Sequence, residues 1–397
     1  MIKGIAETWM ELSGQNNWQN LLKPLDVELQ QYLIHYGAMA QATYDTFNTE
    51  RLSKYAGSSR YSRKNLFSRV GLVEANPFKY KAVKYIYATS KIKVPQSYIL
   101  KSLCDDAWCE DSNWMGYVAV ATDEGKIALG RRDILVAWRG TIEPAEWAKD
   151  FDFPLVPASE VLGRVSDRAR VHHGVLSIYT SNNEGSKFNK MSARDQVLSE
   201  IMRQVEKYKD EEISITVTGH SLGAALSTLN AADIVCNNYN NLTNQPNKTC
   251  LVTTFNFGGF LVGDMNFKHA LESMNDLRIL NVYNAPDITP YLPPFTCYTD
   301  VGEKLIIDSR NSPFLDYPGD FVTWHNLEAA YLHPLAIENE PFVRRSIALV
   351  NKGSSALNDR YSIPGCWWCE KNKGMVQSSD GSWILDDHET DVDDDNP

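Results

Sequence analysis

Apolar residues recur at helical spacing over residues 26–44, where Leu29, Leu33, Ile34, Tyr36 and Ala40 mark one face. From about residue 80 the pattern changes. Short apolar runs at 115–120, 134–138, 213–218, 252–257 and 277–283 are rich in β-branched and aromatic residues, as buried strands are. Between the second and third runs, residues 193–209 read as a helix, with Ser192 and Asp195 at its start and Val197, Ile201, Val205 and Tyr208 on one side. Another helix begins just after Ser221 and passes through Leu226, Leu229 and Ala232. Strands alternating with helices predict an α/β fold, a mostly parallel central sheet flanked by helices. No internal repeat is present. The expected organisation is an N-terminal helical extension over residues 1–80, packed on a core of residues 81–385, and a tail of residues 386–397. Seven acids in that tail predict a solvated, disordered segment.

The chain's 397 residues suffice for a large core, and 43% hydrophobic with 22% charged residues is ordinary for a globular protein. A net charge of −11 argues against nucleic acid as a general partner, because phosphate binding needs a positive surface. It also argues against tight electrostatic anchoring to anionic membranes, while transient contact with a lipid surface through apolar groups stays compatible. Residues 51–73 run against the average, with six Lys/Arg and no acid. They read as a solvated loop, the alternative being a basic patch that helps dock a lipid surface. Seven scattered cysteines do not imply a disulfide scaffold. Cys366 and Cys369 have the spacing of half a zinc site, but no second pair lies near, so they read as ordinary thiols. The first eighteen residues carry no apolar run, and no stretch reaches the length of a membrane span. A cytoplasmic enzyme is the expectation, and the sequence assigns no oligomeric state.

The chemistry concentrates at Gly219-His220-Ser221-Leu222-Gly223, which follows the strand run at 213–218 and precedes a helix. A strand-to-helix turn tight enough to project a serine leaves no room for side chains two residues either side, hence the glycines. The helix then aims its backbone N–H groups at a developing oxyanion. Ser221 is the expected nucleophile. His220 adjoins it on a sharp bend and is expected to support that bend rather than act as base.

Where a serine on such a strand-to-helix bend acts as nucleophile, the acid and the histidine follow it in that order. Asp287 stands in the loop after the run at 277–283, with Asp264 as the next choice and Asp276 and Asp308 as further rivals. Of the later histidines, His325 is expected just before a helix, His333 lies inside that helix, and His388 falls in the acidic tail. The preferred triad is Ser221, Asp287 and His325. The oxyanion donors are expected to be the backbone N–H of Leu222 and that of Thr141, which follows the run at 134–138. Residues 142–152, with Trp147 and Phe151 and neighbouring Phe153, read either as a lid or as an ordinary surface helix.

Five stretches together, Val136-Ala137-Trp138-Arg139-Gly140-Thr141, Val171-His172-His173-Gly174, the serine motif, Asn284-Ala285-Pro286-Asp287 and Trp324-His325-Asn326-Leu327-Glu328, resemble the class 3 lipases. The N-terminal stretches 25–29, 34–37 and 40–44 are similar to the plant phospholipase A1 class II group. The resemblance implies an α/β-hydrolase fold and hydrolysis of the sn-1 acyl ester of glycerolipids by Ser221, Asp287 and His325, without a metal or other cofactor. The competing expectations are a neutral-lipid lipase, a galactolipase, a carboxylesterase, or a signalling scaffold with an idle triad. One departure is local: where the family runs from Glu through one residue to Tyr-Leu-His, this chain has an extra alanine, Ala329-Ala330, and then reaches Tyr331, Leu332 and His333-Pro334.

Overall fold

The protein is described here from a computed structural model, covering residues 4–74, 76–105, 107–108, 112–142, 154–163, 165–242, 248–315, 319–337, 375–377, 379–385 and 388–391. The lid candidate from residue 143 onward, with Trp147, Phe151 and Phe153, and the Cys366/Cys369 pair lie outside the described residues.

Helices α1 (Ile5–Leu12), α2 (Val27–Thr46) and the short α3 (Leu66–Arg69) precede strands β1 (Tyr80–Ala88) and β2 (Asn113–Ala121). Then come α4 (Asp123–Leu129), β3 (Arg132–Trp138), a small ribbon of β4 (Leu155–Pro157) and β5 (Arg170–His172) around α5 (Ser159–Leu162), and helices α6 (His173–Thr180) and α7 (Ala193–Lys207). The second half alternates β6 (Ile213–His220), α8 (Leu222–Cys236), β7 (Leu251–Phe257), α9 (Met265–Glu272), β8 (Leu277–Asn284) and β9 (Glu303–Ile307). Helix α10 (Phe321–His325), a π-helical turn (Leu327–Leu332) and α11 (His333–Ile337) follow, and β10 (Met375–Gln377) pairs with β11 (Trp383–Leu385) apart from the main sheet.

The main sheet runs β1-β2-β3-β6-β7-β8-β9. Its first two pairings are antiparallel and the others parallel. This is the mostly parallel, helix-flanked sheet expected from the apolar runs, with all five in place. Two edge strands, β1 and β9, join them. Each carries charge, Lys81 and Lys84 on one and Glu303 and Lys304 on the other, because an edge strand leaves one side to water. Because β1 runs parallel to β3 and β6, their C-terminal ends share one edge of the sheet.

Each face of the sheet buries its own layer. One layer gathers side chains of α6, α7, α8 and α9; the other gathers those of α1, α2 and the π turn. Asp26 caps α2 by accepting from the N–H groups of Glu28 and Leu29. Leu29, Tyr32, Leu33 and Tyr36 of that helix are fully buried. Burying a side chain of that size stabilises by roughly 1.5–3 kcal/mol. Tyr36 stacks on Phe255 of β7 with ring centroids 5.0 Å apart. The N-terminal helices are therefore one wall of the core.

The tail departs from expectation over residues 388–391. Glu389 Oε1 accepts from Arg69 Nε at 2.6 Å, Asp391 Oδ2 accepts from Arg63 Nε at 2.7 Å, and the His388 ring stacks on Tyr55 at 4.1 Å. Acids of the tail are held by cations of the basic run, so neither stretch is simply solvated. Arg60 in that run is itself buried.

At the start of β3 a carboxylate organises the opposite end of the sheet. Buried Asp133 accepts from Ser214 Oγ at 2.6 Å, Thr216 Oγ1 at 2.7 Å, Tyr80 Oη at 2.7 Å and Tyr36 Oη at 2.9 Å. Arg131 lies 3.6 Å away and also bonds Tyr32, Tyr36 and Ser214. Asp133→Ala would leave that buried guanidinium without its countercharge and several hydroxyls without an acceptor. The expected loss is about 3–5 kcal/mol of unfolding free energy, read by urea denaturation. A change below about 1 kcal/mol, the worth of a surface pair, would contradict this role.

Candidate active site

The bend after β6 is built from close backbone approach. Ser221 has φ 58° and ψ −124°, a conformation side chains adopt rarely and at a cost of about 1–3 kcal/mol. A Cβ on Gly219 would lie 2.3 Å from the Gly223 carbonyl group, and one on Gly223 would lie 2.3 Å from the Trp138 carbonyl oxygen. Both glycines are therefore required by contact. Ser221 N–H donates to Phe257 O at 3.0 Å, tying the bend to the end of β7. Leu222 opens α8, so its N–H has no carbonyl four residues back inside the helix.

Thr141 follows β3 on the same edge. Gly140 packs so tightly that an added Cβ would lie 2.0 Å from Tyr44 Oη and 2.5 Å from His220 O. The strap carrying Thr141 thus leans directly on the bend. Arg139, fully buried, holds the strap by donating to Gly140 O at 2.8 Å, Trp114 O at 3.1 Å and Tyr98 O at 3.1 Å, with its guanidinium 3.9 Å from the Phe47 ring. Leu222 and Thr141 are both buried beside Ser221, which is itself 2% exposed.

Asp287 and His325 meet at this edge. His325 Nδ1 and Asp287 Oδ2 are 2.6 Å apart. The imidazole hangs over the ends of β6 and β7: its ring centroid is 4.4 Å from that of His220, and its Cε1 would be 3.2 Å from a Cβ on Gly258. His325 ends the short helix α10, rather than sitting in a loop before a longer one, and Asn326 then caps the π turn through Ala329 N–H at 2.8 Å. Thr289 N–H donates to Asp287 Oδ1 at 2.9 Å, and the Tyr331 hydroxyl donates to Oδ2. Burial alone would raise the Asp287 pKa. The neighbouring imidazole and these three hydrogen bonds outweigh it and hold the carboxyl below its usual range.

The rivals lie elsewhere. Asp264 caps α9 through Phe267 N–H at 2.9 Å, Asp308 pairs with Arg310 at 2.6 Å, and Asp276 precedes β8 at the far end of that strand. His333 Nε2 contacts Ser312 Oγ at 2.6 Å, and His388 belongs to the tail contact already described. His220 supports the bend: its Nδ1 is 2.7 Å from Tyr44 Oη. Burial, reinforced by the His325 ring, holds His220 well below the ordinary histidine range, so it stays neutral.

Three partners were not legible from spacing. Tyr331 reaches Asp287 from the π turn. Asn284, inside a motif already recognised, donates to Trp324 O at 2.8 Å and accepts from Ser309 N at 2.9 Å, so it ties the acid loop to the histidine helix. Tyr44 reaches the bend from α2. Among the described residues no group of three or more His, Cys, Asp or Glu is placed to hold a metal ion.

The depressed Asp287 pKa gives a signed expectation. Its stabilising contribution is complete above the unfolded carboxyl range and is lost as pH falls through the lower folded value. Tyr331→Phe removes one donor to that charge, worth about 1.5–3 kcal/mol. The variant should be less stable at neutral pH, with the difference from the parent closing in acid. Denaturant midpoints measured across pH check this, and a difference that persists undiminished in acid would refute it.

The family described as Lipase (class 3) matches residues 135–297. Phospholipase A1-IIgamma of Arabidopsis thaliana is 50% identical over 399 residues, covering 98% of this chain and 95% of that protein. Phospholipase A1-II 7 of Oryza sativa subsp. indica is 50% identical over 406 residues, covering 98% of each chain. Among solved structures, the Lip2 lipase of Yarrowia lipolytica is similar with a TM-score of 0.47 and 17% identity, over 73% of this chain and 82% of that one. With both phospholipase relatives matched over 98% of this chain and an α/β-hydrolase sheet carrying the serine bend, the chain belongs to the phospholipase A1-II group of the class 3 lipases and is a lipid-ester hydrolase.

Proposed function

We propose that the chain hydrolyses the sn-1 acyl ester of glycerophospholipids through an acyl-serine intermediate. His325 takes the Ser221 hydroxyl proton as the serine oxygen forms a bond to the ester carbonyl carbon. The backbone N–H groups of Leu222 and Thr141 hold the resulting oxyanion. When the tetrahedral species collapses, the carbon–oxygen bond to the glycerol breaks, and His325 hands the proton to the departing lysophospholipid hydroxyl. The same imidazole then takes a proton from water, whose oxygen attacks the acyl-serine. Collapse releases the fatty acid and returns the proton to Ser221. Asp287 orients the ring through Nδ1 and stabilises its cation.

The observation that carries this reading is the 2.6 Å contact between Asp287 and His325 beside a serine held at positive φ. The names of the relatives support the choice of phospholipid and of the sn-1 position. Ser221→Ala should lower ester turnover by roughly 10⁴-fold or more while leaving the fold intact, as measured by thermal unfolding beside the assay. Full activity in that variant would overturn the assignment. Phosphatidylcholine with distinguishable chains should release the sn-1 fatty acid. Release mainly from sn-2, or turnover of galactolipids or acylglycerols alone, would reject the phospholipase A1 reading.

A further inference from the structure

Charge is not spread evenly over this acidic chain. Residues 51–104 hold twelve Lys/Arg and a single acid, Glu74, within a protein of net charge −11. Two of those cations, Arg63 and Arg69, are neutralised by the tail. Lys79 pairs with Glu124, and three of the others gather at one place. A cavity of about 350 Å³ is lined by Lys91, Lys93 and Lys101 together with Ile92, Val94 and Ile99. Its lining includes no Asp or Glu, and among the described residues none of the three lysines has an ion-pair partner. The nearest acids in sequence, Asp105 and Glu184, stand outside it.

The cavity belongs to the catalytic edge of the sheet. Its loop follows the C-terminal end of β1, which shares that edge with the ends of β3 and β6. The link to the site is direct. Ile142 N–H donates to Ser97 O at 3.1 Å, and Arg139 of the Thr141 strap donates to Tyr98 O at 3.1 Å. The chain leaving the cavity at Lys101 exposes an apolar side chain two residues on. Leu103 N–H donates to Arg51 O at 2.8 Å, which sets Leu103, 60% exposed, beside Leu52, 74% exposed. Across the same edge, the loop after β8 exposes Ile288, Tyr291 and Phe295.

Exposed aliphatic and aromatic side chains interleaved with uncompensated lysines fit a surface that is apolar inside and anionic at its face. We propose that this edge is a membrane-docking surface for anionic phospholipid, with Lys91, Lys93 and Lys101 at the level of the headgroup phosphates and Leu52 and Leu103 entering the acyl boundary. The inference rests on the reading of the chain as a phospholipid hydrolase and adds where, and on which lipid surface, it lands. The repulsion expected from the net charge is overcome locally, because screening confines each charge's reach to about 10 Å.

The test uses the full chain carrying Ser221→Ala, so that binding is measured without hydrolysis. Cosedimentation with phosphatidylcholine vesicles, with and without phosphatidylglycerol, should show tighter binding to the anionic vesicles and weakening as salt is raised. Each lysine near such a surface contributes roughly fivefold in partitioning. Lys91→Gln, Lys93→Gln and Lys101→Gln together should therefore weaken binding to anionic vesicles by at least about tenfold. In the active background those three changes should leave turnover of a water-soluble short-chain ester unaltered. Leu52→Gln with Leu103→Gln should weaken binding to both kinds of vesicle. Equal partitioning onto the two vesicles, or full binding by the triple-lysine variant, would overturn the proposal. Displacement by soluble glycerophosphoglycerol at matched ionic strength would also overturn it, because the groove would then be a headgroup pocket. Lysine-dependent binding without phospholipid hydrolysis by the active chain would leave docking standing and remove the substrate reading instead.

Discussion

The approach of α8 to β3 and β6 is the contact on which the site depends. Two hydrogens, one on Gly219 and one on Gly223, face backbone atoms where no carbon fits. The constraint forces the chain to reverse within a few residues, which in turn forces Ser221 to positive φ. Such a conformation persists only where its surroundings over-determine it. Here they do: β6 is paired on both sides, α8 is buried along nearly its whole length, and the serine N–H is held by Phe257. The strain is thus sustained by the core rather than by local loop chemistry.

Helix α2 connects the two ends of that core. Tyr36 bonds the Asp133 cluster at the start of β3, and Tyr44, eight residues on, meets His220 at the end of β6. At 1.5 Å per residue the two hydroxyl-bearing positions are about 12 Å apart along the helix. One element outside the alternating strand and helix pattern therefore braces the sheet along the strand direction. It also explains why the extension is packed rather than tethered: the hydroxyls of Tyr36 and Tyr44 meet partners on the sheet.

Much of this was written locally in the chain. The five central strands are continuous apolar runs because both faces are covered, and glycines around Ser221 mark the bend. The loop context after β8 singles out Asp287, and the stretch Trp324-His325-Asn326 singles out His325, although that residue ends a short helix instead of preceding a longer one. What stayed hidden has a common cause. Lys81, Lys84, Glu303 and Lys304 break the apolar signature of β1 and β9, since half of an edge strand faces water. Tyr331, Tyr44 and Asn284 act through contacts set by the tertiary fold, and no spacing rule announces them. The acidic tail reads as solvated in isolation because its countercharges, Arg63 and Arg69, lie more than three hundred residues earlier.

Ala329-Ala330, where the sequence departs from the pattern it resembles, falls within the π-helical turn. A π turn closes hydrogen bonds one residue wider than an α turn and so holds more chain in the same length. A residue added within such a turn is absorbed as girth instead of being passed along the backbone. His325 upstream and His333 downstream each keep their own partner, Asp287 and Ser312. The turn behaves as a slack loop in a cable, a place where chain length can change by one while both anchored ends hold their phase.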